Sequence, residues 1–188
     1  MAKWLNKIQG SGRNDTLVGT SGADEIYGNG GNDILDGAGA GDFLYGQEGD
    51  DILLASATDS SGDLYDGGNG VDTFKIEGSS MQNVAFTVNL LTGRDQQGDR
   101  FTAIENVIGG NLGDTIVGSA GNNRLEGRNG NDVISGGGGT DTLLGGDGDD
   151  VLDGGLGADV LTGGAGADQA TYTNSSAAVT VNLLAGTA

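Results

Sequence analysis

An acid recurs at every ninth residue along most of this chain, and glycine recurs in phase with it. The series opens at Asp15 and continues through Asp24, Asp33, Asp42 and Asp51. It slips by three residues and resumes at Asp63 and Asp72. A second series holds Asp114, Asn123, Asp132, Asp141, Asp150, Asp159 and Asp168. A nine-residue period matches neither the 3.6-residue turn of a helix nor the alternation of a simple strand. Self-similarity at a fixed spacing marks a repeat architecture, in which each unit stacks only on its neighbours. A repeat that places carboxylates at one fixed position points to a hard, oxygen-seeking cation.

The unit can be numbered from the glycine five residues before the acid. Position 1 is then Gly10, Gly19, Gly28, Gly37, Gly46, Thr58 and Gly67, and later Gly109, Gly118, Gly127, Gly136, Gly145, Gly154 and Gly163. Position 4 is usually glycine as well, and position 6 is the acid. Position 8 is apolar throughout: Leu17, Ile26, Leu35, Leu44, Leu53, Tyr65 and Phe74, then Ile116, Leu125, Ile134, Leu143, Leu152, Leu161 and Ala170. Glycines at fixed offsets predict a tight turn over positions 1 to 6. Positions 7 to 9 have room for a very short strand, with position 8 facing one side. One such strand buries a single side chain, so only stacked copies make a core.

Residues 1–9 keep the frame, with Asn6 at position 6 and Ile8 at position 8, and read as a degenerate capping repeat. Residues 100–108 keep it too, with Glu105 and Val107. Four segments follow: 1–75, a first repeat block with its cap; 76–99, a strand or hairpin insert docked beside the stack; 100–171, a second block; and 172–188, the start of a second insert-like strand. The last reading rests on an internal echo. Phe86-Thr87-Val88-Asn89-Leu90-Leu91-Thr92-Gly93 returns as Val179-Thr180-Val181-Asn182-Leu183-Leu184-Ala185-Gly186. The echo suggests part of a longer chain; a closing strand is the alternative.

Composition narrows the chemistry. Histidine, cysteine and proline are absent, which removes the usual zinc, haem and iron–sulfur ligand sets and the His-dependent nucleophilic triads. The net charge of −19 disfavours nucleic acid and anionic membrane surfaces, which need a basic footprint. No apolar run approaches the ~20 residues of a membrane span. Outside the repeat there is no catalytic constellation, and the chain reads as a non-enzyme.

The units Gly67-Gly68-Asn69-Gly70-Val71-Asp72-Thr73-Phe74-Lys75 and Gly145-Gly146-Asp147-Gly148-Asp149-Asp150-Val151-Leu152-Asp153 resemble the glycine-rich nonapeptide of the RTX (repeats-in-toxin, haemolysin-type) calcium-binding family. The resemblance covers about 1–75 and 100–171. It implies an all-β, right-handed parallel β-roll in which two nonapeptides form a coil. It also implies Ca²⁺ between successive turns, held by position-6 carboxylates and by backbone carbonyls of turn residues such as Gly28, Gly31, Gly46, Gly49, Gly127, Gly130, Gly136, Gly139, Gly145, Gly148, Gly154 and Gly157.

Partners would lie one coil apart. That pairs Asp15 with Asp33, Asp33 with Asp51, Asp51 with Asp72, Asp24 with Asp42, and Asp42 with Asp63. In the second block it pairs Asp114 with Asp132, Asp132 with Asp150, Asp150 with Asp168, and Asp141 with Asp159. These are about nine candidate calcium sites. Asn123 lacks a carboxylate and should weaken its pairing with Asp141. The slip at Ala55-Ser56-Ala57, with Thr58 and Ser61, places Asp42–Asp63 and Asp51–Asp72 in doubt. Arg13, Ala40 and Leu112 at position 4 should make their turns less regular.

With one core side chain per nine residues and stacked carboxylates, the metal-free chain should be largely unfolded. The function implied is a calcium-binding module of a secreted bacterial protein that folds outside the cell after type I secretion. Two alternatives stand beside it. One is a non-catalytic accessory module of a polysaccharide-modifying enzyme, binding an anionic, alginate-like polysaccharide. Tyr27 and Tyr45, one coil apart, would be its stacking platform, and Arg100, Arg124 and Arg128 its cationic grip. The plain readings of those residues are an aromatic ladder and local charge compensation. The other alternative is a set of stalk repeats from a surface adhesin.

Overall fold

A computed structural model describes residues 5–55, 62–77, 84–172, 174–175 and 177–183. The chain divides into two compact units, one of residues 1–81 and 93–104 and the other of residues 82–92 and 105–188. There is no helix among the described residues.

The first unit consists of two sheets. One holds β1 (Asn6–Gln9), β3 (Asp24–Gly30), β5 (Phe43–Glu48), β7 (Leu64–Asn69) and β11 (Arg100–Thr102), paired parallel in that order, with the short β10 (Arg94–Asp95) antiparallel to β11. The other holds β2 (Thr16–Val18), β4 (Ile34–Asp36), β6 (Ile52–Ala55) and β8 (Thr73–Ile76), all parallel. Successive repeats alternate between the sheets, so two nonapeptides complete one coil. The expected cap is a rung in register: Asn6 lies opposite Asp24 and Ile8 opposite Ile26.

The second unit repeats the plan. Its sheets are β9 (Thr87–Asn89), β13 (Thr115–Val117), β15 (Val133–Ser135), β17 (Val151–Asp153) and β19 (Gln169–Thr171), and β12 (Asn106–Ile108), β14 (Arg124–Asn129), β16 (Thr142–Asp147), β18 (Val160–Ala165) and β20 (Thr180–Asn182), all parallel. Both units are parallel β-rolls.

Two features differ from the sequence reading. The first is strand length. In the first unit β3, β5 and β7, and in the second β14, β16 and β18, run six or seven residues. They continue through positions 1 to 3 because the turn residues also pair in register, as Asn29 with Gln47. The second is the insert. Thr87–Asn89 does not lie beside the stack but is a rung of it, with Val88 opposite Ile116. The echoed strand Thr180–Asn182 is likewise a rung, with Val181 opposite Leu161. Residues 56–61 and 78–83, and with them Thr58 and Ser61, lie outside the described residues.

Position 8 forms the core. Ile26, Leu35, Leu44, Leu53, Tyr65 and Phe74 are buried in the first unit, and Ile116, Leu125, Ile134, Leu143, Leu152 and Leu161 in the second. In the first unit the rows of the two sheets meet: Phe74 packs edge-on to Tyr65 and Phe101 at 4.8 and 4.7 Å between centroids. One row per sheet leaves no second layer to fill a void. Leu143→Ala should therefore cost about 3–5 kcal/mol in denaturant melts of the calcium-loaded protein. A loss below about 1 kcal/mol would contradict a single-row core.

Candidate metal centre

The rolls bring position-6 residues into vertical columns. Asp24, Asp33, Asp42, Asp51, Asp63 and Asp72 are buried in the first unit, and Asp114, Asn123, Asp132, Asp141, Asp150 and Asp159 in the second. Asp15 and Asp168, in end rungs, are partly exposed. Each column is tied by its own carboxylates. The backbone N–H of Asp15 donates to Asp33 Oδ1 at 2.7 Å, that of Asp33 to Asp51 at 2.7 Å, and that of Asp51 to Asp72 at 2.8 Å. Asp24 donates to Asp42 at 2.8 Å and Asp42 to Asp63 at 2.7 Å. In the second unit Asp114, Asp132, Asp150 and Asp168 are linked in the same way, as are Asn123, Asp141 and Asp159.

The three-residue slip leaves Asp42–Asp63 and Asp51–Asp72 tied as closely as the rest. The first unit also has a rung that the repeat reading missed. The N–H of Asp63 donates to Asp99 Oδ1 at 2.7 Å, and Phe101 takes the place of a position-8 residue opposite Tyr65. A signal for it existed, since Asp99 stands three whole periods beyond Asp72. A second ladder at position 5 was also missed. Asn32 N–H donates to Asn14 Oδ1, Asp50 to Asn32, and Val71 to Asp50; Asn122, Asn131 and Asp149 accept likewise in the second unit.

The second carboxylate oxygen differs from the first. Oδ2 of Asp33, Asp51, Asp132, Asp141, Asp150, Asp159 and Asp168 is buried without a hydrogen-bond donor. A Cβ added at Gly28, Gly46, Gly127, Gly136 or Gly145 would meet this oxygen of its own repeat together with the position-1 carbonyl of the next rung. Glycine at position 1 thus leaves room for two oxygens, both acceptors, to approach each other. The carbonyls of Gly31, Gly49, Gly130, Gly139 and Gly148 approach the position-4 glycine of the next rung instead. Among the described residues no group of three acidic side chains is placed to hold a metal ion by itself. The donor set is carboxylate plus backbone carbonyl, which suits Ca²⁺.

A buried carboxylate without a donor holds its proton more tightly. Burial pushes Asp132 up to about 7 and Asp141 to about 6, from an ordinary 3.8, and raises Asp33, Asp51, Asp114 and Asp150. Between the unfolded and folded values the native state binds more protons than the unfolded chain. Stability of the metal-free rolls is therefore present at about pH 4 and lost as pH rises through 6 to 7. Protons and calcium compete for the same oxygens, so calcium should bind more weakly at pH 5 than at pH 8. Melts in chelator at pH 5 and pH 8 check the first point. Greater metal-free stability at pH 8 would contradict it.

The other candidates are locally engaged. Tyr27 and Tyr45 stack on each other at 4.8 Å, and the Lys7 ammonium lies 4.5 Å from the Tyr27 ring centroid. The Tyr27 hydroxyl donates to Glu25. This is an aromatic ladder. Arg124 and Arg128 both face Glu126, at 3.0 and 3.9 Å, while Arg100 lies in β11 of the first unit. Ala38 and Ala40 occupy positive φ, at 70° and 68°.

Against known proteins, the family model of the RTX calcium-binding nonapeptide repeat (4 copies) matches residues 9–44, 108–143 and 136–170, together more than half of the chain. No curated protein matches the chain.

Proposed function

The chain belongs to the RTX calcium-binding nonapeptide-repeat family, and on that premise we propose that it is a calcium-binding β-roll module whose turns hold Ca²⁺ between position-6 carboxylates and turn carbonyls. The observation that carries this reading is the set of buried Oδ2 atoms, each without a donor and five of them set against a neighbouring carbonyl. When bound, calcium supplies the positive charge that lets stacked carboxylates stay ionised in a low-dielectric edge. The residues themselves fix the columns, exclude water from Oδ2 and align the carbonyls.

The module acts by binding and folding and performs no reaction. In a secreted bacterial protein it stays unfolded at low cytosolic calcium, passes through a type I secretion route, and folds outside, where modules of this kind bind at about 10⁻⁴–10⁻³ M. Calorimetric titration of chelator-stripped protein with CaCl₂ tests the reading, with MgCl₂ as the comparison. Several calcium ions per chain are expected, with weak or no uptake of Mg²⁺, which demands tighter octahedral geometry and gives up its water reluctantly. No calcium uptake at 10 mM, a concentration about tenfold above that range, would remove the proposal.

A further inference from the structure

The described turns fall into two states, and the backbone at position 2 separates them. In one state position 2 lies in the left-handed region. Asn29 (φ 75°), Gln47 (82°), Arg128 (80°), Gly137 (96°), Gly146 (122°), Gly155 (84°) and Gly164 (117°) all do so. Their acids are Asp33, Asp51, Asp132, Asp141, Asp150, Asp159 and Asp168, the residues whose Oδ2 lacks a donor. In two turns with a left-handed position 2 the N–H goes elsewhere: Gly155 donates to Asp153, and Ala38 (φ 70°) to Asp36.

In the other state position 2 is not left-handed, and its N–H points at the acid. Ser11 donates to Asp15 Oδ2 from N at 2.6 Å and from Oγ at 2.8 Å. Thr20 does the same to Asp24, at 2.6 and 3.0 Å. Gly110 N–H donates to Asp114 Oδ2 at 2.7 Å, and the N–H of Phe86 takes Oδ1 at 2.7 Å. Ser119 donates to Asn123 Oδ1 from N at 2.7 Å and from Oγ at 3.1 Å, while Asn123 Nδ2 donates to the carbonyl of Glu105 at 2.6 Å. Asn123 thus combines in one amide an acceptor for its own turn and a donor for the preceding rung's carbonyl.

An N–H and a cation compete for the lone pairs of one oxygen, and on Asp15 and Asp24 two donors take both lone pairs of Oδ2. We infer that the turns at Ser11, Thr20, Gly110 and Ser119 are closed by the protein's own donors and take no calcium, and that a left-handed residue at position 2 marks the turns that do. This rests on the calcium reading above and sorts its candidates. Asp15, Asp24 and Asp114 leave the set whose Oδ2 meets an ion, although the first rungs still contribute carbonyls and N–H groups to the turns above them. The closed turns stand at the start of each roll: Asp15 and Asp24 belong to the first two full repeats of one unit, and Asp114 and Asn123 to those of the other. They give each roll a calcium-independent base on which ion-requiring turns stack.

The test counts ions on the full chain by native mass spectrometry and equilibrium dialysis in millimolar calcium, with circular dichroism to establish folding. Asp15→Asn and Asp24→Asn should keep the ion count of the unsubstituted protein. Asp132→Asn and Asp150→Asn should each lose one ion. Asp168→Asn should also lose one, and its place in an end rung keeps this arm readable if the interior variants fail to fold. An ion lost on Asp15→Asn or Asp24→Asn, in protein that still folds, would overturn the inference. So would an unchanged count on Asp168→Asn. A chain that binds no calcium at all would instead remove the underlying reading.

Discussion

Stripped of divalent cations at pH 8, the protein should lose most of its β-sheet signal and regain it in a cooperative transition at millimolar calcium. The structure gives the reason. Most nonapeptides contribute one buried apolar side chain, while buried carboxylates stack in columns. Above about pH 7 Asp132 and Asp141 ionise, and their columns then hold adjacent charges without neutralising partners. Such charges are tolerated only when paired. On the function proposed above calcium binds the folded state and not the unfolded one, so that its binding free energy would become folding free energy. A calcium concentration one hundredfold above Kd adds about 2.7 kcal/mol per independent site. Several sites exceed the total stability of most domains, about 5–15 kcal/mol. Far-UV circular dichroism during calcium titration reads the transition. A spectrum folded alike in chelator and in calcium would refute the coupling, and a gradual, non-cooperative rise would refute stacking as its basis.

A single methyl group at position 1 should be nearly as damaging. In Gly145→Ala the new Cβ would collide with Asp150 Oδ2 and with the Gly163 carbonyl. Both are held in the stack, Asp150 by burial and Gly163 by pairing of its strand. The backbone of Gly145 is not left-handed, so the penalty is steric and falls on the two oxygens that would share an ion. The cost should be about 3 kcal/mol or more, with the calcium midpoint displaced to higher concentration. Gly121→Ala is the control, because its nearest heavy atom is the Ser119 hydroxyl at 3.7 Å. It should change stability by no more than about 1 kcal/mol. Equal effects at the two glycines would show that position 1 is glycine for flexibility and not for space.

Much of this was legible before any coordinates. A nine-residue period with one apolar phase points to stacked copies, and the resemblance to the nonapeptide family implies that two repeats form a coil, so that alternate repeats share a sheet. The acid pairs one coil apart follow from that implied coil; those that span the slip stood in doubt, and the structure ties them because parallel pairing resumes once the chain regains phase. The insert was harder. Its position-6 place is held by Phe86, so the acid that signals a rung is missing although Val88 still lines the core. Asp99 kept the phase but followed a segment without repeats. The position-5 ladder was hidden because Asn and Asp in a glycine-rich turn are ordinary turn residues.

What residue identity could determine was the stacking and the core row, which depend only on spacing, and, through the family resemblance, the columns of acids. Which acids are left needing a cation was decided in three dimensions. Gly110 and Gly146 are the same residue at the same position, yet one donates its N–H to its acid and the other is left-handed at 122°. Glycine permits both conformations at similar cost. The difference lies in the neighbouring rungs: Gly146 is paired on both sides within the extended β16, whereas Gly110 lies beyond the end of the short β12.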